Sequence, residues 1–188
     1  MDVSDSLLVA MMFVVVLTMG IGNILTALAE LADRRTGVTI DILPLTWAIL
    51  LLGQHLNLFW DILEILSVKE WSFIDFVYIL SGPIVLFLAT NILLPKADSE
   101  SKCASRAHYF RITRQFFLLL AAVMAWVLGA DIFIGDGLRA SAIWNVLSIF
   151  ILVTLALVLR PRVHMIGTAL YAVVFPTVWV LRGLGAIP

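Results

Sequence analysis

The run Leu7–Leu31, LLVAMMFVVVLTMGIGNILTALAEL, decides how the rest of the chain is read. A bilayer's hydrocarbon core is about 30 Å thick, and a helix needs roughly 20 mostly apolar residues to cross it. The run exceeds that length, and its only formal charge, Glu30, falls at its end. The preceding Met1-Asp2-Val3-Ser4-Asp5-Ser6 is acidic and lacks the basic n-region of a cleavable signal peptide. Leu7–Leu31 is therefore expected to be a first transmembrane helix.

Five more stretches share this character: Pro44–Leu66, Phe73–Leu94, Gln115–Ile134, Ala142–Leu159 and Val163–Leu181. Across the 188 residues, 62% are hydrophobic and only 13% charged, which excludes an ordinary water-soluble domain. The expectation is an all-α, polytopic membrane protein of six transmembrane helices, with residues 1–188 as one transmembrane domain. The longest polar segment, Lys96–Arg114, has the size of a single loop.

Orientation follows from the basic residues. The loops after the first, third and fifth stretches hold Arg34, Arg35, Lys96, Lys102, Arg106, Arg111, Arg114, Arg160 and Arg162, nine of the 12 basic residues. The other side holds Lys69, Arg139 and Arg182. Odd-numbered loops are thus expected in the cytoplasm and both termini outside. Cys103, the only cysteine, falls in a cytoplasmic loop on this reading, and no intrachain disulfide can form.

A three-plus-three repeat is suggested by three matches: Pro83 through Pro95 against Pro176 through Pro188, Trp47 against Trp144, and Asn23-Ile24 against Asp131-Ile132. An odd number of helices per unit would invert the second unit in the membrane. Pro83 and Pro176 each remove one backbone hydrogen bond and are expected to kink their helices, either forming a gate or simply shaping the bundle. Ala121, Ala125 and Gly129, spaced by four, favour close helix packing, within the bundle or in a homodimer.

Polar residues inside lipid are costly, so their spacing carries information. Gln54, Asn57, Asp61 and Glu64 recur at steps of three and four and share one helical face. Asn23, Thr26, Glu30 and Asp33 repeat the pattern in the first stretch. Asp61, Asp131 and Asn145 are expected at similar depth toward the outside, around a polar cavity with Gln54 and Asn57 at its floor. Such carboxylates could bind a cation or exchange a proton. Alternatively, Asp61 and Glu64 mark a helix end. His55 lies about a hundred degrees from the stripe and serves either as a proton relay or ligand, or as a hydrogen-bonding packing residue. His108 and His164 are expected in loops.

The end of the polar segment, Arg106 through Phe117, mixes arginines with Tyr109, Phe110, Phe116 and Phe117. This suits an interface with anionic headgroups or a cytosolic partner, and not nucleic acid. The chain has no His-Glu-x-x-His, no Gly-x-Ser-x-Gly and no phosphate-cradling glycine loop, so no enzyme, metal or cofactor is expected. The pairing of Leu93-Leu94-Pro95-Lys96 with Tyr109-Phe110-x-x-x-Arg114-x-Phe116-Phe117 resembles small uncharacterised bacterial six-helix inner-membrane proteins. The resemblance covers about a quarter of the chain and implies a multi-pass protein of the bacterial inner membrane, with no activity attached.

The functional expectation is a small transporter or channel for a proton, a cation or a small neutral solute. Its path would use Asp61, Asp131, Gln54, Asn57, Asn23 and His55. The alternative is a non-transporting accessory or sensor subunit of a larger membrane complex. The bilayer, a second copy of the chain or another membrane protein are the expected partners.

Overall fold

A computed structural model of the chain describes residues 3–32, 41–61, 71–94, 106–133 and 142–183. All of its regular structure is helical: α1 Val3–Ala32, α2 Ile42–Trp60, α3 Phe73–Leu93, α4 Arg106–Phe133, α5 Ala142–Leu157 and α6 Pro161–Gly183. Four of these, α1 to α4, are long and apolar enough to cross a membrane. The apolar helix α5 is shorter, at 16 residues.

The helix boundaries follow local chemistry. Asp41 caps α2, its carboxylate accepting from the Leu43 N–H at 3.0 Å. Pro44 sits in the first turn, where its missing N–H leaves no intrahelical bond broken. Ser72 and Asp75 form a reciprocal capping box at the start of α3. Pro161 opens α6 at the position where its fixed φ already suits a helix.

Three expectations need correction. The helix that was expected to begin at Gln115 begins at Arg106, so His108, Arg111 and Arg114 lie on α4 and not in a loop. Likewise, His164 lies in the first turn of α6. Hydropathy marks the part of a helix that suits lipid, while the backbone hydrogen-bond ladder can run on past it. The second helix, expected to reach Leu66, ends at Trp60 with Asp61 as its C-cap. Glu64 and the small segment around it lie outside the described residues.

Neighbouring helices run in alternating directions. Trp71, just before α3, donates its indole N–H to Ser6 Oγ near the start of α1 at 3.0 Å. At the opposite end the starts of α2, α4 and α6 meet, through Trp47–Thr168 and Tyr109–His164. Among the described residues, helix α2 touches α1, α3, α4 and α6 and is the centre of the bundle, while α1 packs only on α2 and α3. The core is aromatic near α2: Trp47, fully buried, meets Phe116 and Phe117 edge-on at 5.6 and 4.9 Å and Tyr171 at 5.1 Å. Outward faces carry large apolar residues such as Met11, Phe150 and Val173.

The two prolines occupy unlike places. Pro83 is buried in α3, whereas Pro176 is exposed on α6. The other matched pairs differ as well: Trp47 is buried and Trp144 half-buried, Asn23 exposed and Asp131 half-buried. The spaced-by-four residues of α4 divide, Ala121 buried and Ala125 exposed.

Beside Pro83, Gly82 admits the Trp126 ring where a side chain would otherwise stand. Trp126 Nε1–H donates to the Tyr78 carbonyl at 2.7 Å, and Tyr78 OH returns a bond to the Trp126 carbonyl at 2.8 Å. The two rings stack at 6.1 Å. Gly82→Leu is expected to lose about 1–3 kcal/mol of stability by overpacking this contact. Gly22→Leu, where the added side chain meets open space, is expected to be nearly neutral. Thermal unfolding of both variants in detergent micelles checks the contrast.

Candidate functional site

On α2 the polar stripe descends from the core to the helix end. Gln54 is buried, Asn57 half-buried, and Asp61 stands at the C-cap with its backbone N–H bonded to the Asn57 carbonyl at 3.2 Å. Asp61 therefore takes the helix-terminus position, where the helix gives way to a polar end. The Gln54 side-chain oxygen is buried without a hydrogen-bond partner among the described residues. A carbonyl oxygen with no donor in a low-dielectric interior costs of the order of 1–3 kcal/mol.

His55, fully buried, turns away from this stripe toward α1. Its Nδ1 lies 2.8 Å from the Leu51 carbonyl. A carbonyl only accepts, so Nδ1 carries the proton and Nε2 is left with a bare lone pair. Nε2 is buried, has no hydrogen-bond partner among the described residues and lies against Gly20, where a side chain at that position would collide with the ring. The imidazole and the missing side chain of Gly20 fit together, and they hold α1 close to α2.

Asp131 lies near the end of α4, half-buried and close enough to Tyr78 for its charge to act on the phenol. Asp61 and Asp131 thus stand at the same end of two helices that touch one another. Asn145, early in α5, is half-buried. Asn23 bonds to α3 and not to the α2 stripe. It is exposed on α1, and its amide N–H donates to Asn91 Oδ1 on α3 at 3.2 Å. Asn91 in turn donates to the Phe87 carbonyl of its own helix at 2.8 Å.

Two surface grooves are apolar. One, about 310 Å³, lies between α1 and the start of α3, beside Met12, Trp71 and Phe76. The other, about 220 Å³, lies between α5 and α6, beside Phe150, Leu155 and Gly167. Neither is lined by Gln54, Asn57, Asp61 or Asp131.

The most elaborate polar cluster is one that the sequence reading missed, at the end where α2, α4 and α6 begin. His164 is fully buried. Its Nε2 lies 2.9 Å from the Val158 carbonyl and its Nδ1 lies 3.0 Å from the Tyr109 hydroxyl. Nε2 must then donate, and Tyr109 donates to the free Nδ1 lone pair. Both nitrogens of a neutral imidazole are thereby used. Phe110, Tyr109 and Phe117 pack around the ring at 5.0, 5.5 and 5.6 Å. One turn further along α6, Thr168 accepts the Trp47 indole N–H at 3.0 Å. The arrangement ties three helices together and leaves His164 no lone pair for a metal. Among the described residues no group of three or more His, Cys, Asp or Glu side chains could hold a metal ion. The signal was present in the spacing: His164 and Thr168 are four apart, as are Tyr109 and Thr113, so each pair lies on one helical face.

The chain matches no protein-family model, no curated protein and no solved structure.

Removing the phenol hydroxyl with Tyr109→Phe leaves the buried Nδ1 lone pair without a donor. The expected loss is about 1–2 kcal/mol, because membrane interiors offer no water to replace the bond. Unchanged thermal unfolding in micelles would show that this bond adds nothing to stability.

Proposed function

We propose that the chain is a small multi-pass transporter or channel that passes a proton, a cation or a small neutral solute through the bundle around α2. In this reading all six helices cross the membrane. The end where α2, α4 and α6 begin faces the cytoplasm, with Arg111, Arg114, Arg160 and Arg162 exposed there. The resembled protein group makes a bacterial inner membrane the setting. An inverted repeat within the path has only its sequence matches behind it.

One observation carries the proposal: the central helix holds two adjacent buried side chains, Gln54 and His55, each with a polar atom that has no hydrogen-bond partner among the described residues. Hydrocarbon cannot satisfy them either, so a passing water, ion or solute is the natural partner. Asn57 continues the line outward to Asp61, and Asp131 stands at the same end of α4. There the carboxylates would attract a cation or exchange a proton. Asn23, facing outward, is left out of the path.

The accessory-subunit reading has its own support, since the surface grooves are apolar and the polar stripe lines neither of them. Flux in proteoliposomes separates the two. With a transport path, wild-type protein moves protons or a tested cation or solute. In that case Gln54→Leu or Asp61→Asn lowers the rate about tenfold or more while the protein stays folded, since lost carboxylate or amide ligands raise the barrier by more than about 1.4 kcal/mol. Absence of flux for every tested species turns the assignment to the accessory subunit.

A further inference from the structure

We propose that α1 is a self-association surface, through which two copies of this chain pair about a two-fold axis along the membrane normal. The proposal requires that α1 cross the bilayer and is independent of whether the protein transports anything.

Asn23 carries the argument. It lies within the apolar span Ser6–Glu30, seven residues or about 10 Å before its end, and it is exposed. Its one hydrogen bond, to Asn91, uses a single N–H. A primary amide has two N–H donors and an oxygen acceptor, so one donor and the oxygen have no partner among the described residues. Facing lipid tails, both would be unsatisfied, at a cost of several kcal/mol each. Helix α1 contacts only α2 and α3, so nothing else in the described chain covers this side.

The spare capacity specifies the occupant. One free donor beside one free acceptor is self-complementary. Under two-fold symmetry Asn23 and its counterpart in a second copy exchange two reciprocal amide bonds. A lone carboxylate or ammonium could not do this, because its copy would repeat the same charge. Parallel copies also meet at equal depth. The polar inner half, with Asn23 and Thr26 exposed, then meets a polar inner half, and Met11, Met12 and Val15 of the outer half meet an apolar one.

The backbone allows the approach. Thr18, Gly22 and Thr26 are exposed and spaced by four, so they form one small-residue strip beside Asn23. At Gly22 a Cβ would meet no atom within 4 Å, so the strip is open. Glu30, also exposed, lies at the end of the seam, where headgroup water screens the two carboxylates from each other.

The test uses the full chain in liposomes. In a Cys103→Ser background, Gly22→Cys is expected to oxidise to a disulfide-linked dimer, whereas Phe150→Cys and Val173→Cys, on outward faces of α5 and α6, are not. Energy transfer between copies labelled at the N-terminus then gives the dissociation constant as lipid is added. Asn23→Leu is expected to weaken dimerisation about tenfold or more, and Asn23→Gln less. Because Asn23→Leu also removes the Asn91 bond, Gly22→Ile serves as a second variant. Its Cβ meets no atom within 4 Å, yet the side chain fills the seam, and it should abolish the dimer. A wild-type chain that is monomeric at every lipid dilution overturns the proposal. So does preferential cross-linking through α5 or α6, or a Gly22→Ile protein that pairs as well as wild type.

Discussion

Hydrocarbon supplies no hydrogen bonds, and the bundle is organised around that lack. Helices satisfy their own backbones, so the remaining problem is the side chains. Each described inter-helix polar contact joins a donor on one helix to an acceptor on another: Trp47 to Thr168, Trp126 to Tyr78, Tyr109 to His164, Asn23 to Asn91. In water such bonds would compete with solvent at little net gain. In lipid the alternative is an unsatisfied dipole, so the bonds fix which helices meet and at what register.

Two patterns of packing surround those bonds. Near the ends of α2, α4 and α6 that carry the exposed arginines, aromatic rings fill the space around Trp47 and His164 edge to face. At the other end and in the middle, glycines take the place of side chains so that a ring fits against backbone, Gly82 under Trp126 and Gly20 under His55. Both devices bring helices close without polar atoms facing lipid. The exceptions are informative. Gln54 and His55 keep unsatisfied atoms inside the bundle, and Asn23 keeps them on its outer surface. In the proposed function the first pair would meet traffic through the bundle. The second points to contact between bundles.

Much of the stripe on α2 was readable from spacing, because residues three and four apart share a helical face in any context. The burial of Gln54 follows that rule. Spacing could not say where the helix stops. Asp61 falls inside the expected Pro44–Leu66 stretch, but it is the terminal cap of α2, because helix ends depend on local backbone geometry more than on mean hydropathy. The same limit misplaced His164. Beside Arg160, Pro161 and Arg162 it reads as loop, yet one turn of helix swings it into an aromatic cage built by Tyr109, Phe110 and Phe117, far away in the sequence.

The sequence by itself determined the helical class and the lipid-compatible lengths of the first four helices. Both follow from composition and from the span of uninterrupted apolar residues, which are local properties. Only the tertiary structure decided that α2 is central among the described helices, that His164 is buried and bonded to Tyr109 and Val158, and that Asn23 looks outward while Gln54 looks inward. A helix's polar stripe has the same spacing whichever neighbour it faces. Which side becomes interior depends on how the other helices pack against it, and that packing is absent from any single segment.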